Sequence, residues 1–516
     1  MHLPAIPYAA QAPSTATGRA TAPPARQPVQ RRARRRALLP LAGLGLFLGG
    51  CADVQPLRAI HIASASTSHA LCSQVFITGR DPAVAYAQEM RPERGMGLLD
   101  WALRHSVDAS RGTVTTRIGG LFEQRAVFLP GEGCREAHDD ATFARLLGAR
   151  AMPQAQASWA PAPDAAPAAS PALPAIAPDA VVPASDPRVR AAIDAAFADA
   201  PGQPPANTLA VVVVHRGRVI GERYAPGIGL RTPLHGHSVS KTFTQALVGA
   251  LALHGRLPGG GMRATLPAWQ HTGDARAQVT IEQLLRMTSG LGWDEYAGGF
   301  DPASRMWHRE DDQAAFAANA TLADAPGARW HYSNRGYQLV SGLLRDTLGG
   351  ADGVRAFART ALADPLGMRD LVIESDLAGT PGGASQVFAS ARDWARFGLL
   401  YLGNGVAGGR RLLPEGWVAR VTTPSPGTGY GAGFWLNNSH ARNEMSGDWG
   451  LPDAPADAYF ARGYLGQFVV MVPSAELVVV RMAVNHGRAG DAPGMGRLVG
   501  AVVAACGDGV RGCQAP

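Results

Sequence analysis

The sequence predicts an α+β chain: an antiparallel sheet flanked by helices, with a helical subdomain inserted between strands far apart in the chain. Three observations predict it. "TLAVVVVHRGRVIGERYA" (208–225) reads as two strands joined at "RG". Strand-like runs return only near the C-terminus, in "YGAGFWLNN", "GQFVVMVP" and "ELVVVRMAV". Between them the apolar residues recur at helical spacing. Strands at both ends of a helical middle make one sheet when the middle is an insertion.

In chain order, residues 1–50 come first. They hold seven arginines and no Asp or Glu, and "ALLPLAGLGLFLGGC" follows the arginine cluster. A basic stretch, a short apolar stretch and small residues before a cysteine read as a secretory signal. The stretch is too short and Gly-rich for a membrane span. "LGGC" also resembles the bacterial lipobox, which implies a lipid on Cys51 and a chain anchored at the periplasmic face of the cell envelope.

Residues 51–151 form a mixed N-terminal region. "LCSQVFITGR" and "GTVTTRIGGLFEQRAVFL" alternate like strands, and "MGLLDWALRH" reads as a helix. Residues 152–186 are mostly Ala and Pro, an extended linker. The main domain is expected over 187–505, followed by a tail, 506–516. Its helices are read in "RVRAAIDAAFADA", "SKTFTQALVGALALHG", "TIEQLLRMTS", "NRGYQLVSGLLRDTLG" and "ARDWARFGLLYLGNG", with a last one from Gly494.

The formal charge is +7, and the seven arginines before residue 50 account for all of it, 7 − 7 = 0. No basic face for nucleic acid follows. Export implies an oxidising compartment. After Cys51 four cysteines remain, and four allow three pairings. Cys506 with Cys513 closes the small loop "CGDGVRGC", which leaves Cys72 with Cys134. No CxxC or His/Cys cluster points to a metal, and no cofactor is expected.

The chain has 48 Lys+Arg and one lysine, Lys241, so 48 − 1 = 47 are arginines. Arginine stays protonated, whereas a buried lysine can lose its proton. The one lysine stands three residues after Ser238, in "HSVSK". Val239, Phe243, Leu247 and Leu251 recur every four residues, so the stretch is helical from about Ser238. Residues three apart on a helix are neighbours. Lys241 then lies beside the Ser238 hydroxyl, at a helix N-terminus that favours negative charge. The second piece is "PGARWHYSNRGYQLV", where Tyr332 and Asn334 point the same way in an extended segment and Asn334 caps the next helix. His235 and His237 flank the serine as loop histidines with no third metal ligand evident. The acids of "GWDEYAGGFD", Asp294 and Glu295 among them, read as a solvated loop.

"HSVSK", "LLRMTSGL", "PGARWHYSN", "ARDWARFGLLYL", "YGAGFW" and "ARGYLGQFVVMVP" occur in the order found in the serine beta-lactamase-related hydrolases. The resemblance covers about 187–505. "RDWARFGLLYL" with "LCSQVFITGRDP" looks most like the 6-aminohexanoate-dimer hydrolase branch. The resemblance implies a beta-lactamase/transpeptidase-like fold and an exported serine hydrolase acting on a small amide or ester. It implies Ser238 as nucleophile, Lys241 as base, Tyr332 as proton relay, and Asn334 as the residue that positions Lys241. Backbone N–H groups of Ser238 and Tyr464 would form the oxyanion hole.

Where lactamases and peptidases of this superfamily carry K-T-G, this chain carries Ala461-Arg462-Gly463. Strand alternation turns Arg462 away from the place of that lysine. The alternatives are a beta-lactamase or D-Ala-D-Ala peptidase, and an inert ligand-binding lipoprotein on the same fold.

Overall fold

The structure is a computed structural model that describes residues 55–151, 173–263, 265–270, 273–292, 299–438, 442–443, 447–448, 450–487 and 490–507. The described residues form one compact unit. The expected signal segment, Cys51 and Cys513 lie outside the described residues, as do Asp294 and Glu295. Among the described residues no helix is long and apolar enough to cross a membrane.

The central sheet has six antiparallel strands. Their spatial order is Trp435–Leu436, Tyr459–Gly463, Gln467–Val472, Leu477–Ala483, Thr208–His215 and Arg218–Tyr224. Sequence-distant segments therefore meet in one sheet: Val480 pairs with Val212 and Val478 with Val214. Strand Leu477–Ala483 and residues 210–214 of its neighbour are buried on both faces, which is why they read as unbroken Val runs rather than alternation. Helix Ala391–Leu402 covers one face. A Cβ on its Gly398 would stand 2.6 Å from Val478, so glycine sets how closely the helix lies. Helices Pro187–Phe197 and Ala492–Gly507 cover the other face. The helical insertion is built around Asn334–Leu348, with Ile281–Leu285 and Gln313–Ala318 packed on it.

The linker ends earlier than its composition suggests. Residues 173–186 run beside the edge strand: Val219 N–H donates to the Ile176 carbonyl and Glu222 N–H to the Val182 carbonyl, both at 2.9 Å. Ile176, Val182 and Ala184 are buried there. Arg392 reaches across to the Pro178 and Ala180 carbonyls and to the buried Glu222 carboxylate. The segment thereby covers a sheet edge that would otherwise offer unpaired backbone groups.

Two N-terminal expectations are corrected. "LCSQVF" is the end of a 22-residue helix, Gln55–Phe76, not a strand. Its buried hydroxyls are satisfied inside the fold; Ser64 Oγ donates to the Thr116 and Phe122 carbonyls. Period-2 alternation in a Ser/Thr-rich run had concealed a helical face of Ala65, Ser68 and Cys72. "MGLLDWALRH" is a single turn at Met96–Leu98 followed by strand Leu103–Asp108. That strand begins a four-stranded meander with Thr113–Ile118, Gln124–Leu129 and Gly133–Ala137. The long helix packs on the meander, and Cys72 and Cys134 are joined in a disulfide between them. The same helix lies against helix Pro302–Arg309 of the insertion.

Glu374 ties this region to the main domain. Its Oε1 accepts from Ser73 Oγ at 2.8 Å and from the Cys134 N–H at 2.7 Å, and its Oε2 is 3.2 Å from His69 Nε2.

Candidate active site

Helix Val239–Leu253 is buried on all sides through Leu251, although its first two turns carry Ser240, Lys241, Thr242, Thr244 and Gln245. Its polar groups are met by surrounding loops. Thr242 Oγ1 donates to the Gly433 carbonyl and Thr244 Oγ1 to the Gly383 carbonyl, while Ser240 Oγ accepts from the Val387 N–H. The helix is thus pinned in one rotation and depth. Ser238 is its N-cap, and no side-chain capping bond uses its hydroxyl. His237, just before it, sits at φ 45°, a strained position for a residue with a Cβ.

Lys241 is 1% exposed. Its Nζ is 2.9 Å from Ser238 Oγ, 2.7 Å from Asn334 Oδ1 and 2.7 Å from the Ala384 carbonyl. The last two partners can only accept. They take two N–H bonds from the amine, which also lies in hydrogen-bond reach of the Ser238 hydroxyl. The Tyr332 ring centroid is 5.0 Å from Nζ. Burial pushes the Tyr332 phenol up to about 12, against the opposing pull of its hydrogen bond with Ser238 and of the Arg462 charge. The phenol therefore stays protonated, beside Ser238. Tyr332 stacks on Trp435 at 6.0 Å, and Trp330 and Tyr430 close the same aromatic wall.

The structure brings Ser238, Lys241, Tyr332 and Asn334 together across 97 positions of sequence, from 238 to 334 inclusive. Asn334 does not cap its helix. Ser333 does, its Oγ accepting from the Gly336 N–H, and Asn334 as first helical residue turns its amide to Lys241. Among the described residues no hydrogen bond occupies the N–H of Ser238 or of Tyr464. Strand Tyr459–Gly463 ends against the turn before Ser238; a Cβ at Gly463 would be 2.3 Å from the Gly236 carbonyl, so only glycine permits the approach.

Arg462 differs from expectation. Strand alternation does separate it from Ala461, which is buried against the helix side. Yet its guanidinium lies on that face 5.8 Å from the Trp435 ring and 5.9 Å from the Phe468 ring, and its charge acts on Tyr332. Burial lowers it to about 10, with Tyr332 opposing. A cation is therefore near the site after all.

Sequence reasoning missed several groups. The Ala384 carbonyl has no side-chain signature. Glu93 of the N-terminal region accepts from the Tyr464 hydroxyl at 3.1 Å, and Glu89 lies beside His235 and His237. The two imidazoles stack with centroids 3.7 Å apart. Burial lowers His235 to about 4, so it is neutral at pH 7, and its Nε2 is 2.7 Å from the Ser385 carbonyl. A separate cavity of about 540 Å³ opens by Leu257, Met262, Pro414 and Trp417, near the C-terminal end of helix Val239–Leu253, and none of the four site residues lines it.

The beta-lactamase family model matches residues 193–504, more than half the chain. The chain belongs to the beta-lactamase family. A curated relative, the 6-aminohexanoate-dimer hydrolase of Paenarthrobacter ureafaciens, is 28% identical over 230 residues, which are 42% of this chain and 57% of the relative. The chain thus spans less than two thirds of that relative's length. The relative is of the branch that "RDWARFGLLYL" suggests. Among solved structures, a penicillin-binding protein homolog from Caulobacter crescentus is 20% identical with a TM-score of 0.47, covering 63% of this chain and 99% of its own. A D-stereospecific amidohydrolase from Streptomyces sp. is 19% identical with a TM-score of 0.41, covering 57% and 93%.

Proposed function

We propose that this member of the family is a serine hydrolase that cleaves an amide or ester through an acyl-enzyme on Ser238. The observation that carries the reading is the buried Lys241 amine at 2.9 Å from Ser238 Oγ, held there by the Asn334 Oδ1 and Ala384 carbonyl acceptors. Lys241 takes the hydroxyl proton as Oγ bonds to the substrate carbonyl carbon. The oxyanion is held by the N–H groups of Ser238 and Tyr464. On collapse the carbonyl reforms, the bond to the leaving group breaks, and Tyr332 supplies the proton that neutralises it. Tyr332 is reprotonated from Lys241. Water then attacks the acyl-serine ester by the same route reversed, which releases the acid and restores the hydroxyl. No cofactor enters these steps.

Short neutral or amine-bearing acyl groups are the proposed substrates, since Ala461 replaces the lysine of K-T-G. The 6-aminohexanoate-dimer hydrolase named above is the relative that supports an amide with a free amine. The second reading, a beta-lactamase or D-Ala-D-Ala peptidase, is favoured by one observation: Arg462 offers a cation for a carboxylate. Turnover of a p-nitrophenyl ester, its amino-bearing analogue and nitrocefin decides between them. The ester and its analogue should exceed nitrocefin in kcat/KM. Nitrocefin turnover equal to the ester, lost in Arg462→Met, establishes the second reading instead.

We further propose that the chain is exported and lipid-anchored through Cys51, as its "LGGC" and basic leader support. Palmitate labelling abolished by Cys51→Ser is the expected result, and unlabelled soluble protein overturns it.

A further inference from the structure

We propose that Leu98, Trp101 and Leu121 form a lipid-docking surface that lays the N-terminal region on a bilayer beside the anchor proposed at Cys51. The three are 79%, 77% and 80% exposed, and no other large apolar side chain among the described residues exceeds 55%. Single exposed apolar residues are ordinary, but a cluster of them needs an occupant.

The meander holds the three together. Leu103 of its first strand pairs with Ile118 of its second, and the Gly119 N–H donates to the Ala102 carbonyl at 3.1 Å. The turn before the first strand and the turn after the second therefore lie side by side. Leu98 and Trp101 are on one, Leu121 on the other. The inner sides of both turns are already covered: Met96, Leu103 and Ile118 are buried, with Leu99, Ala102 and Phe122 packed on them. Trp101 Nε1 donates to the Leu98 carbonyl at 3.1 Å, so the indole is held over its own turn with its polar group paired.

The start of helix Gln55–Phe76 says what covers the outer side. Toward its C-terminal end the helix packs Leu71 and Cys72 with Val114 and Cys134. Toward its N-terminal end it packs Ile60 and Ala63 with Met96, Leu103 and Ile118, and the His61 ring stands 4.8 Å from that of Phe122. The helix thus begins at the same end of the meander as the exposed cluster. Cys51 is four residues before Gln55, and four residues reach at most about 14 Å. A lipid on Cys51 brings a bilayer surface to this end of the region. One acyl chain holds a protein only marginally, so a second contact decides how long it stays. Tryptophan and leucine at turn tips suit the headgroup boundary, where an amphipathic ring and an apolar side chain are both taken up. The rim suits anionic headgroups. Arg91, Arg94, Arg104 and Arg117 stand there against Asp100 and Glu123, while Glu93 is turned to Tyr464.

The choice of occupant rests on the Cys51 reading, and the test separates the two. A chain starting at Ala52 has neither leader nor anchor and keeps the whole described fold, which begins at Gln55. It is sedimented with sucrose-loaded vesicles of phosphatidylethanolamine and phosphatidylglycerol. Expected is binding that falls about tenfold or more when Leu98, Trp101 and Leu121 are all changed to Ser, with circular dichroism unchanged. Trp101→Phe should keep most of the binding and lose most of the fluorescence quenching that brominated lipid causes in the wild type. If the triple variant does not fold, Trp101→Ser alone takes its place and should still weaken binding. Wild-type chain left in the supernatant overturns the proposal, as does equal sedimentation of a folded Ser variant. A dimer on gel filtration that the Ser variant abolishes also overturns it, because the face is then a contact between copies. Palmitate labelling of the full chain is read separately: a labelled Cys51 with an Ala52 chain that ignores vesicles keeps the anchor and loses the surface.

Discussion

Replacing His69 with Gln tests the coupling of the N-terminal region to the main domain. His69 is buried between two carboxylates, Glu374 at 3.2 Å and Glu136 at 3.9 Å. His308 shares Glu136, at 2.7 Å, and His138 faces Asp311 across 3.7 Å. Burial alone would lower the His69 imidazole. The charge and hydrogen bond of Glu374, then Glu136, overcome it and raise the group to about 9 from 6.5. That rise corresponds to about 3 kcal/mol of stability. Because the folded value lies above the unfolded one, this stability is complete below pH 6.5 and fades as pH rises toward 9. Denaturant titrations of wild type and His69→Gln from pH 6 to pH 10 measure it. At pH 6 the variant should be less stable by about 3 kcal/mol, an upper figure since glutamine keeps one hydrogen bond. The gap should close by pH 9–10 through a fall in the wild type. A gap that stays constant across this window would refute the reasoning, for the cost would then be packing and not charge. Glu374 N–H also bonds the Gln386 carbonyl, in the loop whose Ala384 carbonyl holds Lys241. The pH 6 gap should therefore be accompanied by a lower kcat in the variant.

Lys241→Arg keeps the charge but removes the base, so kcat should fall by ~10²–10⁴ with the melting curve little changed; retention of more than about a tenth, a loss under ~1.4 kcal/mol, sinks the proton-acceptor role. The Cys72–Cys134 disulfide closes a loop with a sequence separation of 62. Changing both cysteines to Ser should lower unfolding free energy by about 2–4 kcal/mol in denaturant titration, and an unchanged midpoint would show that the helix and meander hold together without it.

Much of the site was legible because it is local. Ser238 and Lys241 share one helical turn, and Tyr332 and Asn334 share one extended segment, so spacing alone pairs them. The sheet was legible for a different reason: doubly buried strands must be runs of β-branched residues, and "VVVV" and "VVV" stand out. What escaped was non-local or carried by backbone. Nothing in "PGGASQ" marks the Ala384 carbonyl as a partner of Lys241. Arg462 obeys the alternation, but on its own face it lies against Trp435, whose ring stacks on Tyr332, and alternation does not say which rings meet there. The helix Gln55–Phe76 is hard to read because its buried face mixes Ile62 and Leu71 with many Ala, Ser, Thr and Cys positions, which blur the apolar periodicity. Glu89 reaches the loop before Ser238, and Glu93 reaches Tyr464, only through the packing of the N-terminal region, which no local pattern foretells. Residues 173–186 show the converse error, since a composition of Ala and Pro says nothing about the edge strand it will cover.

The most direct test of the account is fluorophosphonate labelling of the purified protein with peptide mapping of the adduct. The account predicts one label per chain on the Ser238 peptide, lost in Ser238→Ala and strongly slowed in Lys241→Arg. A chain that takes no label while folded, or takes it on another residue, would contradict the assignment of Ser238 as the nucleophile.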